Sequence, residues 1–512
     1  MHTGKHSRFI LPHNKSTTLP TRILLFDIES TLCKVSESHT EHHFKIAVAC
    51  LLRYRHDRRT FTETWREFTT VDEFISYVES IAYKRNTLYI ASHNISYDME
   101  VIHLLENLQS RGWTISRLFL RPGSTIVKIK RENRTIVVFS TTNIWRCSLA
   151  KLGDLIGLPK LDLPPQDAPL DQWFVYCKND VLILVEMIKR YITWLRDENL
   201  GGFCVTIGAQ AMRTYRHRFM QHEIVIDHNP DVLRLERDAY HGGRIRVYYQ
   251  GMLPPDTYYL VDVNSAYPYI MKIFPLPYRF ARIEHNLSAV SLNHLLQKYA
   301  VIALVDVSPD KPVFPIRYNG RIIYPVGHFT TTLSTPELEL AIERGWINRV
   351  FVAQCYDRNL LFSEYVDYFY SRKSQAKREG NAVMAEFYKM MLNSLSGKWG
   401  GESVEFKEIP ADEKYLPGEN IIVNADTGKI IRIQRLGKSL FVRGEETETT
   451  YSFPGIIAHI TAYQRIRMFN LVELAGEENV FLESTDSLLV NQVGYNRIKH
   501  LVNPSELGAL SI

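Results

Sequence analysis

The chain has 512 residues, which is enough for two to four domains and a substantial buried core. Its composition, 45% hydrophobic and 23% charged, is that of an ordinary globular protein and argues against wholesale disorder. The net charge of +5 is modest, but nine Lys and Arg against a single acid, Glu132, fall between Arg111 and Lys151. This distribution permits a polyanionic partner without requiring one.

No apolar run reaches the roughly 18–20 residues that a membrane span needs, so no membrane partner is predicted. The six cysteines lie far apart and include no CxxC pair. This spacing argues against a zinc module and a disulfide framework and fits a reducing compartment. The first 21 residues are basic, contain no acid and lack an apolar signal core. They predict a disordered basic arm, with a short transit-like tail as the alternative.

Up to about residue 200 the chain alternates strand-like and helix-like segments, which is typical of an α/β domain. A Gly-rich and aromatic stretch, AYHGGRIRVYYQGMLPPD (239–256), then reads as a connection between domains. The predicted strand YYLVDV (258–263) breaks into NSAYPYIM. Residues 362–396 predict two helices joined around Arg378–Asn381. Residues 401–452, rich in Gly, Glu and β-branched residues, predict a β-hairpin excursion.

Three segments each place two polar side chains on one face of a predicted element: Asp27 and Glu29 on a strand, Asn94 and Asp98 at the start of a helix, and Tyr176 and Asp180 within a helix. Each pair by itself is more often a pair of solvent-exposed polar residues than a pair with a chemical role. Together they meet a known requirement, because hydrolysing a phosphodiester with two divalent ions needs three or four converging carboxylates. Asp27, Glu29, Asp98 and Asp180 are then the predicted ligands of Mg²⁺ or Mn²⁺, and the Tyr176 hydroxyl positions the attacking water.

The segment FLESTDSLLV (481–490) places one acid, Asp486, in a Ser-Thr-Asp-Ser turn between two apolar stretches. By itself this pattern predicts a hairpin with a polar turn. The alternative is that Asp486 is a metal ligand. A bulge or register shift that brings the Glu483 carboxylate into such a site is a competing arrangement.

The motifs together resemble those of family B DNA polymerases. FDIE (26–29), HNISYD (93–98) and YCKND (176–180) resemble the three motifs of the family's proofreading exonuclease. DVNSAYP (262–268), KMMLNSLSG (389–397) and STDS (484–487) resemble its polymerase motifs, in the family's order. YHGG (240–243) resembles the motif that joins the two halves in the protein-primed branch of phages, adenoviruses and linear plasmids. The resemblance covers roughly residues 22–512.

This resemblance implies an α/β RNase H-like exonuclease domain followed by the α+β palm and fingers of a right-hand polymerase, with the thumb largely missing. The implied domains are a basic arm (1–21), a 3′→5′ exonuclease (22–200), a connecting segment with YHGG (201–255), and palm and fingers (256–512). Two insertions are expected within the last domain, at 283–335 and 401–452.

The resemblance also implies roles for individual residues. Two Mg²⁺ or Mn²⁺ ions in each active site would be held in the polymerase by Asp262, Asp486 and the Val263 carbonyl. The incoming deoxynucleoside triphosphate would meet Tyr267, Arg372 or Lys373, Lys377, Lys389 and Asn393. DNA contacts would come from Asn94, Tyr97 and Lys160 at the exonuclease site and from Tyr240, Gly242, Gly243, Ser396, Gly397 and Thr485 elsewhere. The helical spacing of Lys389, Asn393 and Ser396 suits a triphosphate, and a merely wet helix face is the alternative.

Three substitutions depart from the family pattern: Ser484 where an Asp is usual, Leu482 for a common Tyr, and Ser396 where a Tyr abuts the base pair. The function implied is DNA-directed DNA synthesis with proofreading, in protein-primed replication of a viral or plasmid genome. The implied partners are template-primer DNA, deoxynucleoside triphosphates and a terminal (primer) protein. The alternatives are an exonuclease with an inactive or weakened polymerase, and a remnant that only binds DNA or terminal protein. The compartment would be a host cytoplasm, or a mitochondrion for a fungal plasmid.

Overall fold

The computed structural model describes residues 8–512 except 38–39, 122, 413, 424–427 and 429. The chain forms two compact units. The N-terminal unit comprises residues 15–213 and 403–447, and the C-terminal unit comprises residues 8–14, 214–402 and 448–512. The unit limits therefore differ from the predicted domain limits, because each unit includes a segment that is remote from it in sequence.

The elements follow one another along the chain with bounds that place every predicted motif on the expected kind of element. The first are β1 (Arg8–Ile10), β2 (Arg22–Lys34), β3 (Thr40–Arg55), β4 (Thr60–Phe68), α1 (Val71–Ile81), β5 (Thr87–Ser92), α2 (Ile95–Val101), α3 (Leu104–Ser110), β6 (Thr114–Arg121), β7 (Ser124–Arg131), β8 (Arg134–Ser140), α4 (Leu149–Ile156), α5 (Leu170–Asp197) and α6 (Ile207–Thr214). Next come β9 (Val225–Asp227), α7 (Pro230–Ala239), β10 (Ile245–Val247), β11 (Tyr258–Val263), α8 (Ala266–Ile273), β12 (Leu276–Leu287), α9 (Ala289–Lys298), β13 (Ala300–Val307), β14 (Ile316–Tyr318), β15 (Arg321–Ile323), β16 (Phe329–Ser334), α10 (Thr335–Glu343), β17 (Ile347–Asn359), α11 (Ser363–Arg378) and α12 (Ala382–Ser394). The last are β18 (Glu402–Ile409), β19 (Gly418–Val423), β20 (Ile430–Leu436), β21 (Ser439–Glu448), α13 (Pro454–Ala475), β22 (Val480–Ser484), β23 (Ser487–Asn491), α14 (Gln492–Ile498) and β24 (Leu510–Ser511).

The N-terminal unit is built on a seven-stranded mixed sheet in the order β4-β3-β2-β5-β8-β7-β6. Strands β2, β5 and β8 run parallel to one another, and the other neighbours are antiparallel. The first half of β2 is buried on both faces, which explains its continuous apolar run. Helix α5 contacts β2 and β3 through its apolar face.

A four-stranded antiparallel sheet, β18-β21-β20-β19, corresponds to the hairpin excursion predicted at 401–452. The segment forms four strands where a single hairpin was predicted. It belongs to the N-terminal unit, although about 190 residues separate it from the rest of that unit in the sequence. Leu436 and Phe441 are buried in the same hydrophobic core as Phe26, Phe74 and Trp113. These apolar contacts explain why the segment folds with the earlier unit.

The C-terminal unit contains a five-stranded sheet, β10-β22-β23-β11-β24, and a six-stranded sheet, β1-β9-β12-β17-β13-β16. Helix α13 is buried at most of its positions, which its apolar residues on every side permit. Its side chains join both the core beneath the five-stranded sheet, through Met468 and Val472, and the core of the six-stranded sheet, through Phe469.

Three segments predicted to be peripheral are integral parts of these sheets. Residues 1–7 of the predicted basic arm lie outside the described residues, but Arg8–Ile10 pair with β9 and Leu11 is buried. The connecting segment 201–255 supplies β9 and β10, one strand to each sheet. The predicted insertion 283–335 begins inside β12. This strand pairs with β17 from Leu276 to Leu287, and the pairing is interrupted only by two bulges. Whether this segment is an insertion in evolutionary terms stays a prediction.

Helices α11 and α12 form the predicted helical hairpin. The turn is made at Gly380, which has a positive φ of 71°, and the Asn381 side chain then caps α12 by accepting from the Met384 backbone N–H. Across the described part of the chain, every helix is too short or too polar to span a membrane.

Candidate active sites

Four acids of the N-terminal unit converge into one group, which we call the carboxylate cluster: Asp27 and Glu29 from β2, Asp98 from α2 and Asp180 from α5. Asp27 and Glu29 share a face of β2 because they are two residues apart. Asp98 and Asp180 are 3% and 2% exposed, and acids are rarely buried so deeply unless a cation or a metal ion is close to them. The structure therefore brings together the acids that the sequence pairs predicted.

Burial and mutual repulsion raise the pKa values of the acids in the carboxylate cluster. Burial, followed by the charges of Asp98, Asp180 and Glu29, raises the pKa of Asp27 well above its usual range. Burial and the Asp180 charge raise the pKa of Glu29 to about 7. Burial also raises the pKa of Asp98 to about 7, although a hydrogen bond from Ser92 opposes the shift. Positive charge is what such a group needs to stay ionised at neutral pH.

One cation, Lys160, meets part of that need. Its ammonium donates to Asp180 Oδ2 and lies 4.9 Å from the centre of the Tyr176 ring. The other oxygen of Asp180, Oδ1, is buried and has no hydrogen-bond partner among the described residues. A buried carboxylate oxygen without a donor fits a metal ligand, and hard divalent ions prefer such oxygens. The donor set thus fits the divalent ions that the sequence implied.

Two further predicted residues flank the cluster. The Tyr97 hydroxyl is hydrogen-bonded to Ser30 Oγ at 2.7 Å and to His42 Nδ1 at 2.8 Å. Asn94 is exposed at the N-terminus of α2, where its backbone carbonyl accepts from Tyr97 and Asp98. Tyr97 is held in place, whereas the side chain of Asn94 is open to solvent.

In the C-terminal unit, Asp262 and Asp486 lie at neighbouring ends of β11 and β23. These strands are antiparallel with Asp262 opposite Ser487, and the Val263 backbone N–H donates to the Asp486 carbonyl at 2.8 Å. Burial and the charge of Asp262 raise the pKa of Asp486 to about 6. The pair therefore forms a second site where two carboxylates face each other and a divalent cation would relieve their repulsion.

The turn that presents Asp486 is fixed by the YHGG segment. Thr485 adopts a left-handed conformation with φ 55°, and its N–H donates to the Arg244 carbonyl at 2.6 Å. A Cβ on Gly243 would lie 2.7 Å from Thr485 Cγ2, which is closer than real contacts allow. The Gly242 carbonyl accepts from Arg465 Nη1 at 2.6 Å. Gly243 thus allows the close approach to the turn, whereas the positive φ of 78° at Gly242 is a conformation that favours glycine.

The competing arrangement through Glu483 is wrong. Glu483 is fully buried, its Oε2 lies 2.9 Å from Arg244 Nε, and it accepts from the Tyr248 hydroxyl at 3.1 Å. The β22–β23 register is regular at this point, with Glu483 opposite Leu488 and Ser484 opposite Ser487. Because side chains alternate along a strand, Glu483 points away from the face that Ser484 shares with the turn.

Three lysines of the helical hairpin lie close together. Lys373 on α11 donates to Ser265 Oγ at 3.1 Å, next to the strand end that carries Asp262. Burial and the charges of Lys377 and Lys389 lower the pKa of Lys373 to about 8. The charges of Lys377 on α11 and Lys389 on α12 therefore both act on Lys373, and we call these three cations the lysine cluster. Such a cluster favours a polyanionic ligand.

A sequence model of the family described as DNA polymerase type B, organellar and viral, matches residues 162–470, which is more than half of the chain. The chain belongs to this family. The predicted membership of family B is thereby confirmed.

Individual relatives agree with this assignment. The chain is 22% identical over 363 residues to a probable DNA polymerase of Neurospora intermedia, covering 65% of this chain and 35% of that protein. It is 27% identical over 247 residues to the DNA-directed DNA polymerase of Enterobacteria phage PRD1, covering 48% of this chain and 41% of that protein. The chain thus matches well under half the length of either relative.

The fold is similar to that of phi29 DNA polymerase, solved in complex with single-stranded DNA, with a TM-score of 0.67 and 17% identity over 96% of this chain and 84% of that one. This likeness confirms the predicted fold class, an RNase H-like exonuclease domain followed by a palm and fingers. We refer to the five-stranded sheet with Asp262 and Asp486 as the palm and to the α11–α12 hairpin as the fingers, as the motif resemblance predicted.

The remaining residues predicted for the polymerase site lie in different surroundings. Tyr267 is half-buried, and burial together with the charges of Tyr240 and Asp486 raises its pKa to about 12. Arg372 is exposed, with its guanidinium 5.6 Å from the Tyr368 ring and outside the lysine cluster. Of the two predicted alternatives, the structure brings Lys373 to the palm.

The predicted residues at the end of the fingers differ in exposure, although their helical spacing predicted one common face. Asn393 and Gly397 are exposed, whereas Ser396 is buried in the short helical turn that follows α12. Tyr240 packs its ring against Gly400, where a Cβ would lie 3.1 Å from it. Roles for these residues in DNA contact stay predictions.

Several residues of the sites were not singled out from the sequence. Ser92, Cys177 and Ser265 each lie within or next to a recognised motif, so their position was a usable signal. Arg465 and Glu337 form a fully buried ion pair of 2.7 Å behind YHGG, and they lie 128 residues apart with no local pattern that links them.

Proposed function

We propose that this type B polymerase extends a DNA primer on a template and removes mispaired 3′ ends through a separate exonuclease site. The observation that supports synthesis is the Asp262–Asp486 pair, held by the β11–β23 register, in the same unit as the lysine cluster that reaches Ser265. A pair of acids beside a group of cations is the arrangement that nucleotidyl transfer requires.

In the palm, the predicted metal ligands are Asp262, Asp486 and the Val263 carbonyl, and the ions are Mg²⁺ or Mn²⁺, two to each site. When bound, such ions polarise the reacting phosphate and lower the pKa of the attacking hydroxyl. The chain's own contribution is positional: Lys373, Lys377 and Lys389 neutralise the triphosphate oxygens. Tyr267, beside Asp486, would lie under the deoxyribose and exclude a 2′-hydroxyl by its bulk.

In the N-terminal unit, the carboxylate cluster would hold the ions for hydrolysis of the 3′-terminal phosphodiester. Tyr176 would orient the attacking water, and Lys160 would fix Asp180 and neutralise charge beside the scissile phosphate. Asn94 and the immobilised Tyr97 would contact the single-stranded 3′ end. The expected substrate is a single-stranded 3′ end, as the resemblance to the exonuclease motifs implies.

The proposed partners are template-primer DNA, deoxynucleoside triphosphates and a terminal protein that supplies the priming hydroxyl. One of the similar solved structures is phi29 DNA polymerase with primer-template DNA and incoming nucleotides. Protein priming in replication of a viral or plasmid genome is supported by the resemblance of YHGG to the motif of the protein-primed branch.

The direct test uses two assays and three variants. Asp486→Asn should abolish primer extension and leave digestion of a single-stranded 3′ end intact, whereas Asp27→Ala or Asp180→Ala should do the reverse. Each variant serves as the folding control for the other. Equal extension by the wild type and Asp486→Asn would contradict the polymerase proposal, and unchanged digestion by Asp27→Ala would contradict the exonuclease proposal.

A second function is favoured by Ser484. A serine there adds no negative charge to hold the palm ions, and Glu483 cannot replace it because it is paired with Arg244. The alternative is therefore an exonuclease with a weakened polymerase. Digestion without extension at any concentration of Mg²⁺ or Mn²⁺ would support it.

A further inference from the structure

Cys177 lies next to the carboxylate cluster, although neither the exonuclease motif nor the proposed function uses it. It follows Tyr176 on α5 and is fully buried. Its Sγ lies 3.7 Å from Asp27 Oδ2 and 3.4 Å from the Asp27 carbonyl oxygen. Three potential ligand atoms, one each from Asp27, Glu29 and Cys177, all lie within 4.8 Å of one another.

These separations match a coordination polyhedron that includes sulfur. A tetrahedral ion about 2.3 Å from a thiolate and about 2.0 Å from a carboxylate oxygen sets those two ligand atoms about 3.5 Å apart. The observed separation of 3.7 Å between Sγ and Oδ2 is close to that value. Little rearrangement is needed for both atoms to bind one ion.

A second observation points to a ligand at the same place. Asp180 lies three residues after Cys177 on α5, so the two side chains share a helical face. Its Oδ1 is buried without a hydrogen-bond partner among the described residues, and the residue is 2% exposed. After burial, the charge of Asp180 is among the causes that raise the pKa of both Asp27 and Glu29, as expected for acids that lie close together.

We propose that Asp27, Glu29 and Cys177 form a binding site for a thiophilic divalent cation, with Zn²⁺ as the ion that fits best. Binding forms a bond between the ion and the Cys177 sulfur, and the thiol proton is released to water. Soft thiolate ligands select Zn²⁺ over Mg²⁺, whereas the carboxylates alone suit Mg²⁺ or Mn²⁺. Zn²⁺ held in this way occupies carboxylates that digestion needs, and it inhibits the exonuclease without binding to the palm.

The consequence for digestion rests on the proposed exonuclease function, but the metal site does not. The experiment therefore begins with a spectroscopic measurement on the full chain freed of metal. Co²⁺ replaces Zn²⁺ as the probe, because a thiolate ligand gives an intense charge-transfer absorption in the near ultraviolet that oxygen ligands do not give. Wild-type protein should develop this band to saturation at one equivalent, and added Zn²⁺ should remove it.

Matched variants assign the band. Cys177→Ser should lose it and bind Co²⁺ at least about tenfold more weakly. Cys50→Ser should keep it, since Cys50 is equally buried on β3 of the same unit but belongs to no group of three ligand atoms among the described residues. Glu29→Gln, which leaves the thiol in place, should keep the band but need about tenfold more Co²⁺. If circular dichroism shows that Cys177→Ser does not fold, the Co²⁺ titration of Glu29→Gln is the measurement that tests the site.

Digestion of single-stranded DNA in Mn²⁺ is then measured against added Zn²⁺. Inhibition should need at least about tenfold more Zn²⁺ in Cys177→Ser than in Cys50→Ser. Co²⁺ binding without the band, or with a band that persists in Cys177→Ser, would overturn the site. A band in a protein that digests nothing would support the site and contradict the exonuclease function, whereas digestion without the band would do the reverse.

Discussion

Ser484 is the residue on which the strength of the palm site depends. It ends β22 two residues before Asp486, and its carbonyl accepts from the Asp486 N–H at 2.6 Å and from Ser487 Oγ at 3.2 Å. It shares the turn with Asp486 but supplies a neutral hydroxyl where a carboxylate would bind a divalent ion. Two acids instead of three lower the negative charge that holds the ions.

We expect Ser484→Asp to strengthen primer extension and to reduce the Mg²⁺ concentration for half-maximal extension, on the order of tenfold. The added carboxylate lies on the face that carries the palm acids, so it increases the attraction for divalent ions. Ser484→Asn is the matched control, because it has the same size without the charge. A metal titration in which the two variants behave alike would show that charge at this position is irrelevant.

At the scale of elements, the β22–β23 hairpin depends on a backbone contact from outside it. Gly243 lies against Thr485, and the Arg244 carbonyl accepts from the Thr485 N–H. The hairpin turn is thus set by a segment about 240 residues earlier in the chain. The contact explains why residue 243 is a glycine, and this explanation does not require a contact with DNA.

Gly243→Ala should lower primer extension by about tenfold or more, because small displacements of a catalytic group are costly. The alanine Cβ would meet Thr485 Cγ2 and Oγ1 at 2.7 and 2.9 Å and push the turn that presents Asp486. Digestion by the N-terminal unit should be unchanged. Gly243→Ala combined with Thr485→Ala should extend primers better than Gly243→Ala alone. Failure of this rescue would favour a direct DNA contact by Gly243.

The four-stranded sheet of residues 403–447 folds with an earlier part of the chain. We expect Phe441→Ala to destabilise the N-terminal unit by about 3–5 kcal/mol, since its ring is buried in that unit's core. Hydrogen exchange should accelerate throughout β2 and β3 and stay unchanged in α13 of the C-terminal unit. Glu445→Ala, at an exposed position of the same strand, should change neither. Faster exchange confined to 403–447 would mean that the sheet unfolds independently.

For the whole molecule, the carboxylate cluster links stability to pH and to metal. Glu29 and Asp98 have pKa values of about 7 in the folded protein, against about 4 in an unfolded chain. The folded state therefore binds more protons than the unfolded state between these values. Stability of the metal-free protein must then fall as the pH rises through this window, and the loss is complete above it.

Divalent cations should reverse this loss, because they replace the protons. The rise in unfolding temperature on adding Mn²⁺ should be larger at about pH 8 than at about pH 5.5. The double variant Glu29→Gln with Asp98→Asn should show a small rise at both pH values. An equal rise in the wild-type protein at the two pH values would contradict ligation by this cluster.

The sequence by itself determined the elements that carry the motifs. Asp27 and Glu29 share a strand face, and Tyr176 and Asp180 share a helix face, because these relations follow from local geometry alone. The hairpin at 480–491 and the helical pair at 363–394 were predicted for the same reason. The ordered series of motifs also identified the family, although no single motif was specific.

Tertiary structure decided what depends on residues far apart in the chain. Strand register turned Glu483 toward Arg244 and Asp486 toward Asp262, and both of these partners come from parts of the chain that are remote in sequence. Apolar contacts placed residues 403–447 in the N-terminal unit. The packing of α5 on β2 brought the Cys177 sulfur to Asp27, 150 residues away, because burial of apolar surface and pairing of backbone groups act through space rather than along the sequence.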